Sequence, residues 1–206
     1  PDRVYRWGFA ERETFHSWHE LLSLLPAPFA MVSDGQKGLT DAIARCFPSV
    51  RFQRCLAHVE RYARAKLSRS PKTGAGKELW ALIRILWQVR TRRQKRRWIR
   101  AYRAWERRHE RFLKHRSLSP TGRRGWYTHR NVRSVRTHIR NALPYLFVFV
   151  RHPEVPRTTN HVEGGINARL KELIHRHRGL PPERKQVLAA HFLTSRTEVK
   201  PPRKFT

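Results

Sequence analysis

Two acidic residues stand where metal chemistry can be placed. An apolar run from Pro28 to Val32 reads as a buried strand; Asp34 lies just past its end and Gly35 breaks it. In an open α/β sheet the carboxyl ends of the strands are where ligands bind and reactions occur. A carboxylate at that point is held by the sheet yet open to solvent and to a cation, so Asp34 reads as a metal-binding catalytic acid. The second acid best placed to meet it is Glu163, in Thr158-Thr159-Asn160-His161-Val162-Glu163-Gly164. Each has a plainer role beside this one. Ser33-Asp34-Gly35 is a common turn sequence, and Asn160-x-x-Glu163 is a capping box with Asn160 as N-cap and Glu163 three residues on. What raises Asp34 is its strand-end position in a chain poor in acids. What raises Glu163 is a polar stripe, Asn160, Glu163, Asn167 and Lys171, stepping beside an apolar stripe of Val162, Ile166, Leu170 and Leu173. Cys55-x-x-His58 follows a third strand. A closed zinc site needs about four ligands, and no second pair lies at a suitable spacing. Cys55 therefore reads as a small buried residue, and His58 points toward the same edge as Asp34.

Charge narrows the partners. The 206 residues carry 45 Lys+Arg against 15 Asp+Glu, a formal net charge of +30. Such an excess repels itself unless a polyanion neutralises it, and Lys and Arg on phosphates release counterions, so nucleic acid is the leading partner. Arg169, Lys171, Arg176, His177 and Arg178 cluster just after Glu163 and read, with Asn167, as a backbone-binding surface. No apolar run approaches the ~20 residues of a membrane span and no signal-peptide pattern is present. Two cysteines, Cys46 and Cys55, make no disulfide framework, which points to a reducing cytoplasmic setting.

The elements that must position these groups follow from periodicity. Val4 to Ala10 alternates and reads as a strand. Thr14 can N-cap a helix with Phe15, Trp18, Leu21 and Leu22 at helical spacing. The strand to Asp34, a helix from Gly35 to Cys46, a short strand from Val50 to Arg54 and a helix from Cys55 to Leu67 follow. This alternation predicts an α/β layer with a partly parallel sheet. Beyond a Ser/Pro/Gly-bearing linker at Ser68 to Gly74 the pattern is helical. Trp98, Tyr102 and Trp105 are interleaved with Arg and Lys there and read as helix-packing core. Ser117 to Gly125 reads as a loop, Val132 to Val150 as a helix that Pro144 kinks, Asn160 to His175 as a helix, and Pro182 to about Ser195 as the last one. The organisation expected is an α/β layer over residues 1–67, an all-helical insertion over 68–156, closing helices over 157–195 and a basic tail over 196–206.

The residues then resemble a known family. Val32-Ser33-Asp34-Gly35, then Gln53-Arg54-Cys55-Leu56-Ala57-His58, then Thr159-Asn160-His161-Val162-Glu163-Gly164-Gly165-Ile166-Asn167-Ala168-Arg169-Leu170-Lys171 look like the Mutator-like DDE transposases of bacterial insertion sequences. The resemblance implies an RNase H-like catalytic core in which Asp34 is the second acid and Glu163 the third of an Asp-Asp-Glu triad, with Cys55 and His58 as the C-x-x-H motif near the active site. It implies two Mg²⁺ or Mn²⁺ ions held by carboxylates, DNA cleavage at transposon ends followed by strand transfer into double-stranded target DNA, a homodimer on DNA, and a bacterial, nucleoid-associated location. The chain departs from the pattern at its start. Nothing before Tyr5 can supply the strand with the first acid, so the core is expected to be incomplete, its first strands missing, and this N-terminally truncated piece to have little activity by itself. Two alternatives stay open: another RNase H-like nuclease, and a catalytically inactive basic DNA-binding protein.

Overall fold

The computed structural model describes residues 4–197, with only the backbone of His161. These residues form two compact units, one of residues 30–34 and 51–158 and the other of residues 4–29, 35–50 and 159–197.

In the first unit, β1 (Ala30–Ser33) and β2 (Arg51–Arg54) pair in parallel, Ala30 opposite Arg51 and Ser33 opposite Arg54. Phe52, Gln53 and Arg54 are all buried, so both faces of β2 are covered, as parallel strands require. The buried Gln53 is spent on backbone. Its amide nitrogen donates to the carbonyls of Arg54 (2.6 Å) and Leu146 (3.1 Å), and its oxygen accepts from the Val148 amide at 2.9 Å. It thereby ties the strand to the short 3₁₀ turns at Leu143–Tyr145 and Val148–Val150 that replace the expected helix after Pro144.

Helices α3 (Leu56–Leu67), α4 (Gly74–Ile85), α5 (Arg92–Arg108), the short α6 (Glu110–Lys114) and α7 (Arg130–Ala142) complete this unit. Their apolar stripes share one core: Leu56, Val59 and Ala63 of α3, Leu79 and Ile83 of α4, Val135 and Ile139 of α7. Trp98, Tyr102 and Trp105 of α5 are buried in the same core, the rings of Trp98 and Tyr102 stacked at 5.5 Å and those of Tyr102 and Trp105 at 6.0 Å. Their polar ends reach backbone: Trp98 Nε1 to Leu82 O (2.7 Å), Tyr102 OH to Arg136 O (3.0 Å), Trp105 Nε1 to Ala75 O (3.0 Å). Burial pushes the Tyr102 hydroxyl well above its usual pKa. These three rings are packing, as their spacing predicts.

Two expectations change here. Because α3 supplies part of the helical core, the division falls before β2 and after Asp34 rather than at residue 67, and β1, β2 and α3 group with the helices up to Thr158. The expected loop at Ser117 to Gly125 contains instead an antiparallel ribbon, β3 (Arg116–Leu118) and β4 (Gly125–Tyr127). Three-residue strands around a Ser-Pro-Thr-Gly turn are too short to show alternation in the sequence.

In the second unit, α1 (Phe15–Ser23) begins at Thr14, whose side chain accepts from the Ser17 amide while Ser17 Oγ accepts from the Thr14 amide. Helix α2 (Lys37–Cys46) is capped by Gln36, whose side-chain oxygen accepts from Leu39 N at 2.8 Å and whose side-chain nitrogen donates to Glu13 O at 2.8 Å. The strand expected over Val4 to Ala10 does not form. Val4 makes an isolated parallel bridge to Thr197, and residues 5–10 are irregular, because an alternating pattern makes a strand only where a partner satisfies its backbone. The chain closes with α8 (Asn160–Val162), a π-helical turn over Glu163–Asn167, α9 (Ala168–Arg176) and α10 (Pro182–Thr194).

At Gly38 α2 lies close against the start of α1. A Cβ there would lie 2.9 Å from Phe15 N and 3.0 Å from Thr14 C, both backbone atoms that cannot swing aside. Gly38→Ala is expected to destabilise this unit by about 1–3 kcal/mol, the usual range for overpacking, read as a lower midpoint in urea; an unchanged midpoint would show that the helices separate freely.

Candidate active site

Asp34 lies directly after β1 and is exposed. Gly35 follows with φ +74°, a left-handed conformation that glycine adopts without cost, and it turns the chain sharply into α2. The turn and the candidate acid are therefore one feature, since the turn is what leaves the carboxylate in solvent at the strand's carboxyl end. Beside it the Cys55 amide donates to Ser33 O at 2.8 Å, prolonging the β1–β2 pairing.

The sequence did not single out Arg54, the last residue of β2. Its side chain is within electrostatic reach of Asp34, and burial lowers its pKa against the opposing pull of that carboxylate. Arg54 is 8% exposed, and its Nη2 lies 3.3 Å from His138 Nε2. A guanidinium only donates, so that imidazole nitrogen accepts. His138 is pushed down from 6.5 to about 4, by burial first and by the Arg54 charge second, so it is neutral. Its ring stacks on Tyr62 at 4.1 Å, and the Tyr62 hydroxyl pairs with Ser134 Oγ at 2.5 Å. A chain of contacts thus runs from α3 and α7 to a buried cation next to Asp34. Only an acid-poor, Arg-rich composition hinted at it.

Cys55 is fully buried at the N-cap of α3, and His58, half-buried, sits one turn on, its Nε2 accepting from Arg61 Nη1 at 3.2 Å. The bland reading of Cys55 as a small buried residue holds.

Glu163 is half-buried and opens the π-helical turn. The capping box expected around Asn160 is corrected. Thr159, not Asn160, is the N-cap, and Asn160 is the first residue of α8. Thr159 Oγ1 donates to Glu163 Oε1 at 2.9 Å, while Glu163 N donates to Thr159 O at 3.1 Å. The carboxylate is oriented from the preceding turn, which suits a ligand. The helix expected from Asn160 to His175 is continuous, but its stripes are not straight. A π turn closes i→i+5 bonds and inserts one residue into the helical register. Val162, placed on the apolar stripe, is 52% exposed, whereas Ile166 is buried. Asn167, Arg169, Lys171, Arg176 and Arg178 are all exposed, with Arg176 paired to Glu172. Gly164-Gly165 was the readable signal for the irregular turn, because two glycines weaken an α-helix where they stand.

Asp34 and Glu163 are the oxygen donors that hard divalent ions such as Mg²⁺ prefer. They fit such an ion in type; among the described residues there is no group of three or more His, Cys, Asp and Glu side chains that could hold one.

The model of the Mutator family of transposases matches residues 8–192, and the chain belongs to that family. No curated protein and no solved structure matches it. Transposases act on DNA. No helix among the described residues is long and apolar enough to cross a membrane.

The depressed pKa of His138 has a consequence. Above 6.5 the imidazole is neutral both folded and unfolded. As pH falls from 6.5 toward about 4 the unfolded chain takes up a proton that the folded chain resists, so stability declines across that window. His138→Gln is expected to flatten this part of the curve of Tm against pH; an identical slope in the variant would place the titration elsewhere.

Proposed function

We propose that this chain is the catalytic part of a DDE transposase with an RNase H-like core, and that Asp34 and Glu163 are two of its metal-binding carboxylates. The observation that carries this reading is the family match over residues 8–192. The exposed strand-end position of Asp34 and the Thr159-oriented carboxylate of Glu163 support the two roles.

The ions, Mg²⁺ or Mn²⁺, supply Lewis-acid activation of water or of a DNA 3′-hydroxyl and charge stabilisation at the leaving oxygen. The chain's own residues do the rest. The Gly35 turn presents the Asp34 carboxylate, and Arg54 neutralises part of the charge that would accumulate beside it. Thr159 holds Glu163 in one orientation. Arg169, Lys171, Arg176 and Arg178 bind DNA phosphates, with Asn167 contributing a neutral contact. The products are cleaved transposon ends and their joining to target DNA, by a protein that works as a homodimer in the nucleoid.

Iron(II) placed in the Mg²⁺ site tests this without relying on turnover. With ascorbate and peroxide, bound iron cuts the backbone beside its ligands. Cuts near both 34 and 163 are expected, both suppressed by excess Mg²⁺ and both lost in Asp34→Ala and in Glu163→Ala. In the full-length protein the same substitutions are expected to abolish metal-dependent nicking of supercoiled plasmid while keeping the affinity for duplex DNA. Cutting at one site only, or cuts indifferent to the variants, would separate the two acids. Retained DNA binding with no metal site would leave a DNA-binding protein without this chemistry.

A further inference from the structure

The β3–β4 ribbon carries chemistry that the catalytic reading leaves unused. Of the seven tryptophans, Trp126 is the one with an exposed side chain, 42% open to solvent. The register sets it opposite Ser117, whose Oγ lies 2.7 Å from Thr128 Oγ1. The indole therefore shares its face with the small hydroxyl residues Ser117 and Thr128, which cannot cover it, and with His115, whose Nδ1 lies 2.7 Å from Thr128 Oγ1; no other ring packs on it among the described residues.

Further contacts that hold the ribbon are on its other face. Tyr127 lies under the Arg133 guanidinium at 3.4 Å and beside that of Arg116 at 5.3 Å, and Leu118 packs across Gly125, where an added Cβ would meet its Cδ2 at 3.1 Å. The connecting turn is ordered. Ser119 N donates to Arg124 O at 2.8 Å, Arg124 N donates to Ser119 Oγ at 3.2 Å, and Gly122 takes φ +70°. This turn presents Arg123 and Arg124, both exposed. From Arg111 to Pro153 the chain has ten Lys and Arg and no acid. An exposed flat aromatic face, close to exposed guanidinium groups in an acid-free stretch, is complementary to one kind of partner: a polyanion with exposed aromatic planes.

We infer that the ribbon is a binding site for unpaired DNA, with Trp126 stacking on a base and Arg123 and Arg124 holding the adjoining phosphates. The inference rests on the transposase reading for its DNA substrate. In a regular duplex each base face is covered by its neighbours, so an indole can stack only where the strand is frayed, gapped or splayed, as at a newly cut end. Stacking of this kind is tolerant of sequence, because every base offers a π face.

Fluorescence anisotropy on the full chain tests it with two labelled probes, a blunt duplex and the same duplex bearing a short single-stranded tail. The wild type is expected to prefer the tailed probe. Trp126→Ala is expected to weaken the tailed complex about tenfold while leaving the blunt one within about twofold, and Trp126→Phe to restore most of the loss. Arg123→Ala/Arg124→Ala is expected to weaken both complexes and lower their salt dependence. An unchanged thermal melt for Trp126→Ala shows that the ribbon stays folded. Equal loss on both probes, or no loss on either, overturns the inference and leaves the transposase reading standing. A wild type that binds neither probe overturns both.

Discussion

The stacked rings of Trp98, Tyr102 and Trp105 sit at the centre of the apolar core of a chain of net charge +30. Helix α5 carries cations on nearly every outward position, and its self-repulsion opposes compaction. Large aromatic side chains answer this because each buries much apolar surface from a single position, leaving the rest of the helix free for Arg. Their indole and phenol groups then close backbone carbonyls of α4 and α7, so the polar atoms brought inside are satisfied. One helix is thus core along one edge and cationic surface along the others.

The same separation of buried support from exposed charge recurs at the candidate site. Asp34 is held by the end of β1 and a glycine turn, but its electrostatic setting comes from Arg54, which is buried and supported by a neutral His138 and the Tyr62–Ser134 pair. A buried guanidinium is costly unless its donors are met and its charge is compensated. Here a histidine accepts one bond and a carboxylate supplies the opposite charge, while Arg54 Nε stays buried without a hydrogen-bond partner among the described residues. On the Glu163 side, the tether from Thr159 and the π turn do a comparable task with local bonds alone. π turns are rare and concentrate at functional sites, and this one begins at the candidate acid.

Helices α3 to α7, their aromatic core and the two parallel strands were legible because their signals are local and periodic. Gly35 and Thr14 were legible because turns and caps have strong chemical preferences. The ribbon of residues 116–127 was not, since three-residue strands lack a pattern, and the strand expected over Val4 to Ala10 shows the converse: a pattern without a partner makes no ladder. The capping of the Glu163 helix was misread by one residue, since Thr159 and Asn160 are both good N-caps and only backbone geometry chooses between them. The stripe from Asn160 to Lys171 assumed an unbroken 3.6-residue period, which two glycines relaxed.

What the sequence by itself determined was composition-level and motif-level: a strongly cationic chain, its family, and which acids, cysteine and histidine to inspect, because charge and motif order survive without coordinates. Tertiary structure alone decided that Arg54 and His138, 84 residues apart, meet beside Asp34, that α3 belongs with the helical core, and that one tryptophan of seven faces solvent. Those outcomes depend on which surfaces pack against each other, and burial is a property of the whole fold that no local run of residues encodes.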